Sequence, residues 1–278
     1  MHTNPHTAPI LLIGGNGKTG SKVAQKLAGK RIPTRIVSRS TEIPFDWHTP
    51  DTWASALEGT SAAYITFQPD LAVPGAVETI EAFASVALSL GVKRLILLSG
   101  RGEEEAQRAE QALQNSGADW TIVRASWFAQ NFSESFLHDA IMEGQVTVPV
   151  HIATEPFIDT EDIADVVVAA LSDPAHIGKL YEVTGPKLLS FEEAVSEIAS
   201  ATGKNIKYQQ VPLDQYAEAA ASSGVPEELV SLIMFLFSTV LDGRNQNICN
   251  GVEQALGRPA TDFTSYAQRA ALSGAWGV

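Results

Sequence analysis

The sequence is poor in the residues that build disulfides and thiolate metal sites. It has one cysteine, Cys249, in 278 residues, so neither an internal disulfide nor a cysteine-built metal centre can form. A lone thiol of this kind reads as a packing or surface group, and no metal site is expected. No apolar run approaches the roughly 20 residues of a membrane-spanning helix; the most apolar stretch, Ser231 to Val240, is too short. Met1 to Pro9 lacks a basic segment followed by a long apolar one, so no secretory leader is expected. Together with the single cysteine this points to the cytoplasm and to no membrane partner. A net charge of −13 argues against nucleic acid as a partner. Repeats, low-complexity tracts and long linkers are also absent.

One further absence is local. Residues 1–41 contain no Asp or Glu, although the chain has 32 acids. The same stretch holds Lys18, Lys22, Lys26, Lys30, Arg31, Arg35 and Arg39. The four lysines recur every fourth residue and form one stripe on a helix. The stripe reads either as a solvated face, which is favoured for Lys22, Lys26 and Lys30, or as a local positive field that draws in a polyanion.

What is present is organised around Ile10-Leu11-Leu12-Ile13-Gly14-Gly15-Asn16-Gly17-Lys18-Thr19-Gly20. An apolar strand leads into a glycine turn, which opens a helix-like run from Ser21. In the Gly14-x-x-Gly17-x-x-Gly20 spacing, Gly14 permits the turn, Gly17 lets backbone approach a pyrophosphate, and Gly20 lets helix and strand pack closely. The free N–H groups that open the helix point at phosphate. The turn is therefore expected to hold a dinucleotide through Gly14, Asn16, Gly17, Lys18, Thr19 and Gly20.

Thr34 to Ser40 reads as the second strand. An Asp or Glu at its end would bind the ribose 2′-hydroxyl of NAD, whereas an Arg accommodates the 2′-phosphate of NADP. Here stand Ser38 and Arg39, so NADP(H) is the expected cofactor. Glu42 to Trp47 reads as a short third strand, with Asp46 facing the adenine or capping the next helix, and Trp47 flanking the ring. A helix over Asp51 to Leu57 follows. Ala62 to Thr66 is the next strand, and Phe67-Gln68-Pro69-Asp70 is expected to overhang the cofactor, which adds Thr66 and Gln68 to the site. A helix from about Gly75 to Leu90, the strand Arg94 to Ser99, a helix opened by Glu103-Glu104-Glu105, the strand Trp120 to Arg124, a helix over Thr160 to Leu171 and the strand Leu180 to Val183 continue the alternation. Ser99, at its strand's end, completes the expected cofactor set. Repeated βα units of this length predict an α/β Rossmann fold, a parallel sheet wound on both faces.

After Gly185 the rhythm changes. Ser190-Phe191-Glu192-Glu193 has capping-box spacing and opens a helix to about Ala201. Residues 213–241 read as two helices split by Gly224-Val225-Pro226. The expected division is 1–125 with 151–185 as the cofactor domain, and 126–150 with 186–278 as a smaller, mostly helical substrate lobe. The apolar tail suits a pocket wall or a dimer interface, so a monomer or a homodimer is expected.

Several stretches together resemble the NmrA-like atypical short-chain dehydrogenase/reductases: the glycine turn, Val37-Ser38-Arg39, Leu97-Leu98-Ser99, Ser116 to Arg124, Trp127-Phe128-Ala129-Gln130-Asn131-Phe132 and Pro156 to Ala164. The similarity covers about residues 9–200. The Trp-Phe-x-x-Asn-Phe run and Phe45-Asp46-Trp47 resemble the branch holding the festuclavine and agroclavine dehydrogenases. The resemblance implies an NADPH-binding domain and hydride transfer to a small aromatic or polycyclic acceptor of iminium, quinone or carbonyl type, in secondary metabolism. It also implies that Trp127, Phe128, Asn131, Phe132 and Phe157 line the substrate site, although core packing is the competing reading for these rings. Asp159 and Asp162 read as helix-start and lobe-orienting residues.

The sequence departs from the short-chain dehydrogenases in one respect. No Tyr-x-x-x-Lys occurs, and Ala106 stands where a Lys would precede Glu110. No general acid can be assigned, so the catalytic residues stay unknown. Ser99, Arg101 and Tyr64 are candidates by position only. Two functions follow: a reductase whose acceptor needs hydride alone, or a catalytically silent NADP(H)-binding redox sensor.

Overall fold

The computed structural model describes residues 8–149 and 153–277. The expected domain boundary at 150/151 lies outside the described residues, as does most of the segment read for a leader. In chain order the main elements begin with β1 (Ile10–Ile13), α1 (Gly20–Gly29), β2 (Thr34–Val37), α2 (Trp53–Leu57), β3 (Ala62–Ile65) and α3 (Ala76–Ser89). There follow β4 (Arg94–Gly100), α4 (Glu104–Asn115), β5 (Asp119–Ala125), α5 (His138–Glu143), β6 (Gln145–Val148) and β7 (Thr154–Glu155). Next come α6 (Thr160–Ser172), β8 (Lys179–Val183), β9 (Leu189–Ser190), α7 (Phe191–Thr202) and β10 (Lys207–Gln210). The last are α8 (Leu213–Ser222), α9 (Glu227–Phe235), α10 (Gly251–Leu256) and α11 (Phe263–Leu272).

Two compact units divide the chain. The first comprises 1–125, 160–183 and 251–258; the second comprises 126–159, 184–250 and 259–278. These limits differ from the expected ones at three places, of which the smallest is Thr184 and Gly185, which fall in the second unit. Residues 154–159 fall in the second unit because β7 pairs with β9 and Ile158 bridges Phe128. Residues 251–258 fall in the first because α10 packs on β8. Its Gly251 approaches so closely that a Cβ there would lie 2.3 Å from the Glu182 carbonyl oxygen. Arg258 also reaches Asp162 at 2.7 Å and Asp165 at 2.6 Å.

The first unit is a six-stranded parallel sheet, ordered β2-β1-β3-β4-β5-β8. Strands this apolar are buried on both faces. Leu11, Ile13, Ala63, Ile65, Leu95 and Leu97 join the core built on α2, α3 and α4, and α1 and α6 pack against each other and the sheet. The lysine stripe is not a uniform solvated face. Lys26 reaches Glu161 and Asp165 of α6, each at 2.8 Å, and pins the two helices together.

The stretch expected as a third strand, Glu42 to Trp47, forms no ladder. It makes one bridge, Pro44 to Ser38, and its shape is set by side chains. The Thr41 hydroxyl accepts from the Ser38 N–H at 2.9 Å. Phe45 and Trp47 turn inward onto Phe83, with centroids 5.9 and 5.3 Å away. Pro44 has no N–H to give a ladder, and aromatic burial fixes this segment instead.

The second unit has an aromatic centre of Phe132, Phe157, Phe191 and Phe263. The capping box forms as its spacing predicts: Ser190 Oγ accepts from Glu193 N at 3.1 Å, and the Glu193 carboxylate accepts from Ser190 N at 2.7 Å. Helices α8 and α9 flank Gly224-Val225-Pro226 as expected. This unit also holds two small sheets, β6 with β10 and β7 with β9, which the sequence periodicity does not reveal. No helix among the described residues is long and apolar enough to cross a membrane.

Candidate functional site

The glycine turn is shaped by backbone contact. Gly17 N donates to Gly14 O at 2.9 Å. Gly14 has φ +72°, and a Cβ on it would lie 2.2 Å from Thr66 Oγ1. The Thr66 hydroxyl in turn donates to Ile13 O at 2.9 Å, tying β1 to the end of β3. At Gly20 a Cβ would lie 2.2 Å from Gly14 O and 2.7 Å from Gly15 Cα. Gly14 and Gly20 thus hold the turn closed, and Gly17 faces an open cavity. The first turn of α1 carries no acid, so its partial positive end is not neutralised.

That cavity has a volume of about 670 Å³. Gly14, Asn16 and Gly17 line it from the turn, and Ser38, Arg39 and Ser40 from the end of β2. Asp46, Trp47 and His48 line it from the following loop, and Gln68 and Pro69 from the end of β3. Apolar walls come from Ile13, Val37 and Phe45. Of the residues expected at the cofactor, Lys18, Thr19, Gly20, Thr66 and Ser99 are not among its lining. Gly20 and Thr66 shape the turn from behind. Thr19 is buried and its hydroxyl accepts from Tyr64 at 2.9 Å. The Lys18 carbonyl accepts from Lys22 Nζ at 3.1 Å, and Ser99 is buried at the end of β4.

Asp46 faces the cavity while its Oδ1 accepts from His48 N at 3.0 Å and its carbonyl from Trp53 Nε1 at 2.9 Å. Trp47 donates its indole N–H to Thr66 O at 3.2 Å and packs beside Phe67. Pro69 belongs to the stretch expected to overhang the cofactor, whereas Ser40 and His48 are additions to the expected site. His48 follows Asp46 at the spacing of an Asx turn, which is the signal that would have found it.

Tyr64, a candidate acid by position, is fully buried against Thr19, and burial raises its phenol well above the ordinary value. Its hydroxyl is a structural donor. Tyr64→Phe is expected to cost about 1 kcal/mol, the net worth of one hydrogen bond, read as a shift of the urea unfolding midpoint.

The residues expected at a substrate separate into two groups. Phe132 and Phe157 are core residues, 0% and 2% exposed, because their rings interlock with Phe191 and Phe263. That corrects their expected place on a pocket wall. Trp127, Phe128 and Asn131 are half-buried. Trp127 lies edge-on to Phe191, and its buried indole N–H has no hydrogen-bond partner among the described residues. Asp159 accepts from Gln130 Nε2 at 2.8 Å and from Arg269, and Asp162 pairs with Arg258. Each acid is tied to a cation of its own unit.

Glu110 is buried and accepts from Arg124 Nε at 2.9 Å. Arg124 lies 3.5 Å from Glu182, which pairs with Arg101 at 2.6 Å. Arg101 is thereby held as a structural cation. No cluster of three or more metal-ligating side chains occurs among the described residues.

The NmrA-like family matches residues 6–267. The chain is 29% identical over 281 residues to an NAD(P)H azoreductase from Xenophilus azovorans, covering 93% of this chain and 96% of the relative. It is 27% identical over 276 residues to prestalk A differentiation protein A of Dictyostelium discoideum, covering 93% and 91%. It is 27% identical over 289 residues to agroclavine dehydrogenase of Claviceps fusiformis, covering 92% and 95%. Among solved structures, a nucleoside-diphosphate-sugar epimerase from Staphylococcus aureus superposes with TM-score 0.80 at 19% identity, covering 94% and 99%. An NADPH-dependent quinone oxidoreductase from Escherichia coli, complexed with NADPH, does so with TM-score 0.77 at 20% identity, covering 94% and 99%. These structural likenesses concern the fold. The chain belongs to the NmrA-like family.

Proposed function

We propose that this protein is an NADP(H)-dependent oxidoreductase that delivers hydride to a small aromatic or polycyclic acceptor. The observation behind the reading is one cavity joining the glycine turn to Ser38, Arg39 and Ser40. The residues suit a 2′-phosphorylated dinucleotide. Gly17 lines the cavity with bare backbone, the start of α1 offers its N–H groups to the pyrophosphate, and Arg39 offers paired donors to the 2′-phosphate. Asp46 and His48 suit the adenine end, and Gln68 and Pro69 bound the cavity beyond the turn. The cofactor would supply hydride; the protein binds it, orients it and excludes water. The azoreductase and agroclavine dehydrogenase relatives and the NADPH-complexed quinone oxidoreductase support this class. The half-buried Trp127, Phe128 and Asn131 are the proposed substrate contacts, and the secondary-metabolism role belongs to the same reading.

Arg39→Ala is expected to weaken NADPH binding about 10- to 100-fold, the worth of charge-assisted hydrogen bonds, and to leave NADH affinity unchanged. Titration by cofactor fluorescence measures both. An equal loss for the two cofactors would remove Arg39 from the 2′-phosphate.

The second reading is a redox sensor that binds NADP(H) without turnover. The missing Tyr-x-x-x-Lys favours it. Loss of NADPH absorbance in single turnover, across quinone, azo-dye, triarylmethyl and cyclic iminium acceptors, separates the two. Oxidation by at least one acceptor supports the reductase. Tight binding with no oxidation by any supports the sensor.

A further inference from the structure

The carboxyl edge of the parallel sheet holds a second polar group that the cofactor reading leaves unused. Glu103 immediately precedes α4 and is 7% exposed. Its carboxyl lies over the last residue of β4: a Cβ on Gly100 would fall 2.1 Å from Glu103 Oε2, so only glycine leaves room for it. Neither oxygen has a hydrogen-bond partner among the described residues. One position earlier, Ser99 Oγ is buried with no hydrogen-bond partner either. Buried polar atoms are ordinarily paired. Ser99 Oγ is an orphan at the end of β4, and the Glu103 carboxyl packs over the next residue, Gly100, in the region where parallel sheets bind ligands.

The charges around Glu103 explain its state. Asp70 approaches from the loop after β3, directly following the cavity residues Gln68 and Pro69, and its Oδ1 accepts from Ala72 N at 2.8 Å. Glu110 acts on Glu103 from α4. The cations of this region are engaged elsewhere: Arg101 holds Glu182 from the β4–α4 turn, and Arg124 of β5 holds Glu110. Burial first, then Asp70 and Glu110, push the Glu103 carboxyl up to about 8; burial raises Asp70 as well. Glu103 therefore holds its proton at neutral pH, which the missing tyrosine would otherwise have to do.

We propose that Glu103 is the proton donor of the reaction, and that the acceptors are accordingly carbonyl or quinone compounds, whose oxygen must be protonated. This rests on the reductase reading. As hydride from the reduced dinucleotide reaches the acceptor, the C=O π pair moves to oxygen and takes the Glu103 proton. The Glu103 O–H bond breaks, its electrons stay on the carboxylate, and water returns the proton. Cationic triarylmethyl dyes and cyclic iminium ions accept hydride without this step, so they serve as controls.

The test compares wild type and Glu103→Gln in single turnover with bound NADPH, from pH 6 to 10. Wild type should reduce a quinone or ketone with a rate that falls tenfold per pH unit above about 8, while reduction of a cationic dye stays flat. Glu103→Gln should lose at least about 100-fold on the ketone or quinone and keep both NADPH affinity and any dye reduction. A quinone rate independent of pH, or unchanged in Glu103→Gln, overturns the proposal and leaves the reductase reading intact. So does a wild type that reduces only the hydride-only acceptors. If wild type oxidises NADPH with no acceptor, both readings fall.

A readout without cofactor is the unfolding midpoint against pH. A carboxyl raised from 4.5 to about 8 binds its proton in the folded chain while the unfolded chain has released it. Stability must then fall as pH rises from about 4.5 to 8, by more in wild type than in Glu103→Gln. Parallel profiles for the two proteins would show an ordinary carboxylate and overturn the proposal.

Discussion

Replacing Gly20 by valine is expected to abolish nicotinamide dinucleotide binding and to destabilise the first unit by at least about 3 kcal/mol. Its new Cβ would lie 2.2 Å from Gly14 O, 2.7 Å from Gly15 Cα and 2.8 Å from Gly14 C. All three are backbone atoms, so no rotamer relieves the overlap. The turn must open or α1 must tilt away from β1, and either change moves Gly17 off the cavity wall. The same helix contains its own control. Gly29 has nothing within 4 Å of an added Cβ, so Gly29→Ala is expected to be neutral or to stabilise by about 0.5–1 kcal/mol. NADPH titration and urea unfolding of the two variants should show opposite behaviour in one helix. Wild-type affinity in Gly20→Val would remove the turn from the binding site.

Glu110→Ala is expected to cost about 3 kcal/mol, lowering the melting midpoint by about 6 to 10 °C. Glu110 is 2% exposed and accepts two hydrogen bonds from Arg124, at 2.9 and 2.5 Å. Arg124 is raised chiefly by its hydrogen bond to Glu110. Without Glu110 this guanidinium keeps only the longer contact to Glu182 at 3.5 Å. That remaining contact is why the lower end of the range for a broken buried pair applies. Glu110→Gln, which retains an acceptor, should lose less. A drop below about 1 kcal/mol in the alanine variant would mean that water replaces the carboxylate and the pair is not a keystone of the sheet edge.

Much of the first unit is legible in the sequence, because its signals are local. Ile10 to Ile13, Ala62 to Ile65 and Leu95 to Leu98 are apolar runs, and βα alternation leaves little freedom of topology. Gly14, Gly17 and Gly20 are fixed by how closely backbone segments approach, and their spacing states this directly. Glu42 to Trp47 misleads because the same residue types that favour strands, Phe45 and Trp47, also fill a core without a ladder. The limits of the units are hidden for a different reason. The placement of residues 251–258 depends on Gly251 against β8 and on Arg258 against α6, contacts separated by tens of residues. Phe132 and Phe157 show why an aromatic motif cannot distinguish a pocket from a core: the rings are alike, and only their burial differs. Glu103 reads from sequence as a favourable first-turn acid. Its burial over Gly100 and its nearness to Asp70 and Glu110 emerge only when β4, α4 and the Asp70 loop are assembled.

The most direct test of the account is a paired calorimetric titration of the intact protein with NADPH and NADH at one ionic strength. The cavity that joins Gly17 to Ser38, Arg39 and Ser40 predicts one site per chain and NADPH bound at least about tenfold more tightly than NADH. Equal affinity for the two, or no binding of either, would contradict it.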